Sequence, residues 1–108
     1  MANVYKILGQ VLPAATTLTT LYTVPSSTSS VCSTLSICNQ GISTTYRIAI
    51  RPAGAAITAS QYVVYDAAIN SNDTVFLTLG VTLADTDVVS VYAGTATVSF
   101  HLYGSEIT

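Results

Sequence analysis

Alternation is the feature that most constrains this chain. From Ala96 to Tyr103 the apolar side chains Ala96, Val98, Phe100 and Leu102 share one side, opposite Thr97, Ser99, His101 and Tyr103. Side chains of a β-strand point alternately to the two faces of a sheet, so such a run buries one face and leaves the other polar. The run before it, Val88 to Tyr92, sets Val89 and Val91 on one side. With Ala93-Gly94 between them, the two runs over residues 83–106 are expected to pair as an antiparallel hairpin.

The rest of the chain repeats this texture. Strands are expected around Val4–Leu8, Thr16–Val24, Ser30–Asn39, Thr44–Arg51, Gln61–Ile69 and Thr74–Leu79. Between them lie turn-forming stretches: Pro13, Pro25 with the tract SSTSS, Asn39-Gln40-Gly41, Pro52-Ala53-Gly54 and Asn70-Ser71-Asn72-Asp73. Segment 55–60 reads as loop, and Gly80 as a bend. Tyr46, Ile48 and Ile50 point one way on their strand, Arg47, Ala49 and Arg51 the other. Val75, Leu77 and Leu79 are expected inward, which leaves Phe76 out of phase. The first twelve residues are apolar on both sides, as suits an N-terminal arm or an edge strand. About eight short strands without a helix predict an all-β, single antiparallel sandwich of jelly-roll or Ig-like type over residues 1–108, with an up-and-down barrel as the alternative.

Charge is scarce. Three basic and five acidic residues make up 7% of a chain that is half apolar, against about a quarter charged in an ordinary globular protein. Soluble monomers keep apart through mixed, charged surfaces. Two readings follow: Thr and Ser simply cover exposed strand faces, or much of the surface is covered by copies of the chain or by another protein. Three basic residues at a net charge of −2 argue against nucleic acid, whose phosphates need clustered Lys and Arg. No apolar run approaches a membrane span, and no signal-peptide pattern opens the chain.

Chemistry is equally sparse. Cys32 and Cys38 fall on one expected strand, about 20 Å apart at ~3.3 Å per residue, too far for a disulfide, so both are expected as free thiols. One His and no CxxC make zinc improbable. His101, the only histidine, has no GxSxG elbow to serve. Asp85 and Asp87, and Asp73 beside Asn70 and Asn72, lack the further acidic positions of a calcium loop and suit turn hydrogen bonding instead. No enzyme, cofactor or metal site is therefore expected. What remains are candidate contact residues: Tyr5, Arg47, Arg51, Tyr62, Tyr65, Phe76, His101 and Tyr103. Arg and Tyr are enriched at interfaces, and Tyr62 and Tyr65 are expected on opposite faces of one strand.

Three phrases carry a resemblance: LYTVPSSTSSVCSTLSICNQ (21–40), QYVVYDAAINSNDTVFLTLGVTLADTDVVSVYA (61–93) and VSFHLYGSEIT (98–108). Together they resemble small β-sandwich proteins encoded by tailed bacteriophages and prophages. In these an LYTVP-type strand precedes a Val/Cys/Asn strand, and a D-x-V-x-V-Y hairpin is closed by F-x-L-x-G-x-E. The resemblance implies a non-enzymatic virion component: a capsid decoration or cement protein, or part of a tail, baseplate or fibre. Its partners would be itself, as a homotrimer or higher oligomer, and other virion proteins such as the major capsid protein. Its place would be the virion, assembled in the host cytoplasm. A host-surface carbohydrate-binding module, using Tyr62, Tyr65 or Tyr103, is the alternative from a different class.

Overall fold

The computed structural model describes residues 2–108, apart from the side chain of Leu79, which the alternation had placed inward and which lies outside the described residues. Strands β1 (Asn3–Val11), β2 (Thr19–Thr23), β3 (Ser29–Asn39), β4 (Thr44–Arg51), β5 (Tyr62–Ile69), β6 (Thr74–Leu83), β7 (Val88–Ala93) and β8 (Val98–Ile107) follow one another without an α-helix. They form two four-stranded antiparallel sheets, a first of order β1-β8-β3-β6 and a second of order β2-β7-β4-β5. β1 thus serves as an edge strand.

The pairs β1·β8, β2·β7, β3·β6 and β4·β5 nest like one long hairpin whose apex is the β4–β5 connection. Rolling that hairpin up also brings β8 against β3 and β7 against β4. This is the jelly roll, and its strand order excludes both the up-and-down barrel and the Ig-like arrangement.

The expected hairpin over 83–106 does not form. β7 and β8 lie in different sheets, and each already has a neighbour on both edges. Ala96 and Thr97 belong to the crossing between the sheets, where the Gly94 amide donates to the Thr45 carbonyl at 3.0 Å and the Gln40 amide to the Thr97 carbonyl at 2.8 Å. Alternation determines which side of a strand goes inward; it carries no information about which strand lies beside it.

Between the sheets, Leu35, Ile37, Phe100 and Leu102 of the first meet Tyr46, Ile48 and Val91 of the second, all but Tyr46 at 1% exposure or less. Tyr46 and Phe100 touch edge to face with centroids 6.3 Å apart. Each such aliphatic or aromatic side chain contributes roughly 1.5–3 kcal/mol through burial.

β-Bulges break the simple parity in several strands. In β3 the register shifts between Cys32 and Thr34. Ser30 and Cys32 therefore face the core together with Leu35 and Ile37, while Val31 faces outward and Cys38 is only half-buried. The two cysteines, expected on one side, lie on opposite sides; both are free. Burial pushes the Cys32 thiol up to about 11. Opposite this bulge sits Gly104, where a Cβ would run into the Val31 carbonyl. The expected strand ending at Leu79 continues through Gly80, whose φ of 59° absorbs a second irregularity facing the β3 bulge. Segment 55–60 is also more ordered than expected: a 3-10 turn spans Ala59–Gln61, and Gln61 Oε1 accepts from the Thr58 amide at 3.0 Å.

A polar cluster ties β1 to both sheets at one end of the sandwich. The Tyr22 hydroxyl donates to Glu106 Oε2 at 2.5 Å and lies 2.7 Å from Ser30 Oγ, while Lys6 Nζ is 2.8 Å from Glu106 Oε1. With its proton committed to the carboxylate, Tyr22 accepts from Ser30. Lys6 and Tyr22 hold the Glu106 carboxyl below its ordinary value, and burial first, then Glu106, raises that of Tyr22.

Candidate functional site

The eight candidate contact residues divide between the two outer faces. Tyr5, Phe76, His101 and Tyr103 lie on the first sheet, and Arg47, Arg51, Tyr62 and Tyr65 on the second. No single patch gathers them all.

On the first sheet the register lays out lateral rows. Gln10, His101, Ser36 and Phe76 make one; Ile7, Tyr103, Thr34 and Thr78 the next; Tyr5, Ser105, Val31 and Thr82 the third. Beyond them lie Asn3, Ile107 and Ser29 at one end and Ser99, Cys38 and Thr74 at the other. None of these positions bears an Asp, Glu, Lys or Arg. Large apolar side chains are nevertheless exposed here: Tyr5 at 81%, Phe76 at 68% and Ile7 at 52%. Tyr103 and His101 are half-buried and engaged locally, the Tyr103 hydroxyl 3.4 Å from Ser36 Oγ and His101 Nε2 3.3 Å from Ser99 Oγ. Four strands at ~4.8 Å spacing and about nine residues at ~3.3 Å give a face of roughly 600 Å². That is the order of the ~800 Å² per partner in a stable protein interface.

The second sheet's outer face is differently built. The Arg47 guanidinium donates to Asp66 through Nε at 2.6 Å and through Nη2 at 3.2 Å. It is stacked between two tyrosine rings, its Cζ 4.2 Å from the centroid of Tyr65 and 4.3 Å from that of Tyr92. Fork-to-carboxylate bonding and stacking are what guanidinium offers and ammonium does not, and Asp66 raises the Arg47 pKa further. Asp66 sits at φ 52°, a left-handed conformation that costs a non-glycine residue. Register shifts on both sides of Ile48 accompany it. As a result Tyr62 and Tyr65, expected on opposite faces, share one face with their rings 5.0 Å apart, edge to face. Arg51 differs from Arg47: it donates to the carbonyls of Ala55 at 2.8 Å and Gly54 at 3.1 Å, and lies over Ser90. It anchors the 52–55 loop, and its donors are turned toward its own chain.

Next to Tyr62 and Tyr65, the residues Ile57, Thr58 and Ala59 complete an open pocket of about 450 Å³. Tyr92, Asp66 and Ile57 were not anticipated as members of this face. Tyr92 stands opposite Arg47 only through the β4·β7 register, and the turn over Ala59–Gln61 carries no alternation.

The remaining charges serve turns or the end cluster. Asp87 accepts from the Ala53 and Ala84 amides, at 2.8 and 2.9 Å, and Asp73 from Thr74 at 2.9 Å. Among the described residues no three His, Cys, Asp or Glu side chains converge as a metal would require, and no helix is long and apolar enough to cross a membrane. No family model, curated protein or solved structure matches this chain.

Proposed function

We propose that this chain is a non-enzymatic structural protein of a tailed-phage virion, a capsid decoration protein that stabilises the shell by packing as a homo-oligomer on itself and on the major capsid protein. The observation that carries the proposal is the outer face of the first sheet. Among the described residues it bears no charged side chain, yet it exposes Tyr5, Ile7 and Phe76. Desolvating such a face costs little, because no ion has to leave water, and the apolar side chains gain from being covered. Decoration is favoured over a tail, baseplate or fibre role because all the strands close into one sandwich, with no fibrous or coiled extension among the described residues. The phage resemblance supplies the setting; the uncharged face supplies the means of adhesion.

Light scattering on the purified protein, followed by mixing with particles stripped of their accessory proteins, tests this directly. The expected result is an oligomer, or a monomer that oligomerises on the particle. Phe76→Asp places a charge on the exposed apolar side of this face, on its edge strand β6, without touching the core, and is expected to abolish assembly while leaving the thermal transition within ~0.5 kcal/mol of the parent, as for an ordinary surface substitution. A monodisperse monomer that binds no particle overturns the proposal.

A further inference from the structure

We propose that the pocket on the second sheet, walled by Ile57, Thr58, Ala59, Tyr62 and Tyr65, is a binding site for a neutral saccharide. It lies on the sheet opposite the assembly face, so it stands independently of the reading above.

Three observations converge on it. First, the backbone departs from regular strand geometry beside the pocket: Asp66 is held at φ 52° and the β4·β5 register slips twice within a few residues. Outliers of this kind are features that the surrounding structure has to enforce. Their consequence is local and specific, because they bring Tyr62 and Tyr65 to one side and set Asp66 against Arg47. Second, the ring of Tyr65 is fixed from one side by the Arg47 guanidinium and still keeps 60% of its surface exposed. An aromatic ring that is immobilised and left open is a stacking platform. Third, beside that platform is a concavity of about 450 Å³ with one wall on a turn tied by the Gln61–Thr58 hydrogen bond, within the ~300–1,000 Å³ range of small-molecule sites.

The chemistry of the lining selects the ligand class. Arg47 is matched by Asp66 through two hydrogen bonds and by a tyrosine ring on each side. Its charge is thus already matched by a carboxylate, which leaves little net attraction at this face for a phosphate or carboxylate ligand. The pocket offers ring faces and the aliphatic Ile57 and Ala59, together with the hydroxyls of Thr58, Tyr62 and Tyr65. A pyranose presents the same mixture: a patch of C–H groups on one ring face, with hydroxyls around the rim.

The test is a titration of the purified protein with the methyl glycosides of glucose, galactose, mannose and N-acetylglucosamine into the millimolar range, following tyrosine ring resonances by NMR. At least one sugar is expected to shift the Tyr62 and Tyr65 resonances saturably. Tyr65→Ala should weaken that binding at least ~tenfold with the thermal transition preserved, since the ring is exposed. Tyr65→Phe, which keeps the platform, should bind within about threefold of the parent. Absence of a saturable shift with all four sugars, or equal binding by Tyr65→Ala, overturns the proposal. So does saturable binding of a proline-rich peptide to this pocket when none of the sugars binds.

Discussion

Replacing Tyr22 by Phe removes one oxygen and leaves two polar groups at the end of the sandwich without their partner. The Glu106 carboxylate loses a 2.5 Å hydrogen bond but keeps Lys6; Ser30, 1% exposed, loses its acceptor. A hydrogen bond to a charged group contributes ~1.5–3 kcal/mol, and an orphaned buried donor costs about 1–3 kcal/mol. Glu106 retains 12% side-chain exposure and can recruit water, so the sum is not reached. A loss of about 2 kcal/mol follows, lowering Tm by ~8–16 °C for a domain of this size. The assay is urea unfolding of the parent, Tyr22→Phe, Glu106→Gln and the double variant, which isolates the coupling between the two residues. The coupling is expected to be ~1–2 kcal/mol near neutral pH. Because Glu106 titrates in the fold below its ordinary value of 4.5, its contribution is present above that value and fades as pH falls through the folded one. Tyr22, raised in the fold, behaves inversely: its contribution is full below 10 and is lost in strong alkali. A coupling under ~0.5 kcal/mol near neutral pH, or one unchanged in acid, refutes the reasoning. On the function proposed above, the cluster would also matter to assembly, because it seats the strand that carries Tyr5 and Ile7 onto the proposed contact face.

Two further outcomes follow from the bulges. Gly104→Ala sets a methyl group against the Val31 carbonyl; relief requires moving the bulge, so a loss of ~1–3 kcal/mol, as for an overpacked site, is expected in the same urea assay, against almost none for Ala at Ser105. The two thiols should also part company. Buried, with its thiol pushed up to about 11, Cys32 is expected to resist a thiol reagent until the protein unfolds, whereas half-buried Cys38 reacts in the native state. Mass spectrometry of the singly modified protein checks which cysteine carries the label.

How far the residues alone lead depends on the range over which each signal acts. Alternation is local, and it correctly placed Val98, Phe100 and Leu102 inward, Tyr46 and Ile48 inward, and Phe76 outward, because their own strands stay regular there and the extra residues beside Ile48 and Leu102 sit on the partner strands β5 and β1. It failed at Cys32 and at Tyr62–Tyr65, where an extra residue reverses the parity. The turn chemistry of Asn39 was legible too: its side chain accepts from the Gly41 amide and donates to the Ile42 carbonyl.

An all-β chain, an apolar side for most strands, two free thiols and a surface poor in charge could all be read from the residues in order. That β7 and β8 part into different sheets, that the chain rolls into a jelly roll, and that Tyr92 stands beside Arg47 became visible only in the folded molecule. So did the places of the few charged side chains, which lie on the second sheet, in the turns and in the end cluster, with none among the described residues on the outer face of the first. The physical reason is that composition and alternation are properties of a residue and its immediate neighbours. Strand order and register arise from pairing segments far apart in the chain, and the faces on which function is proposed exist only once that pairing is made.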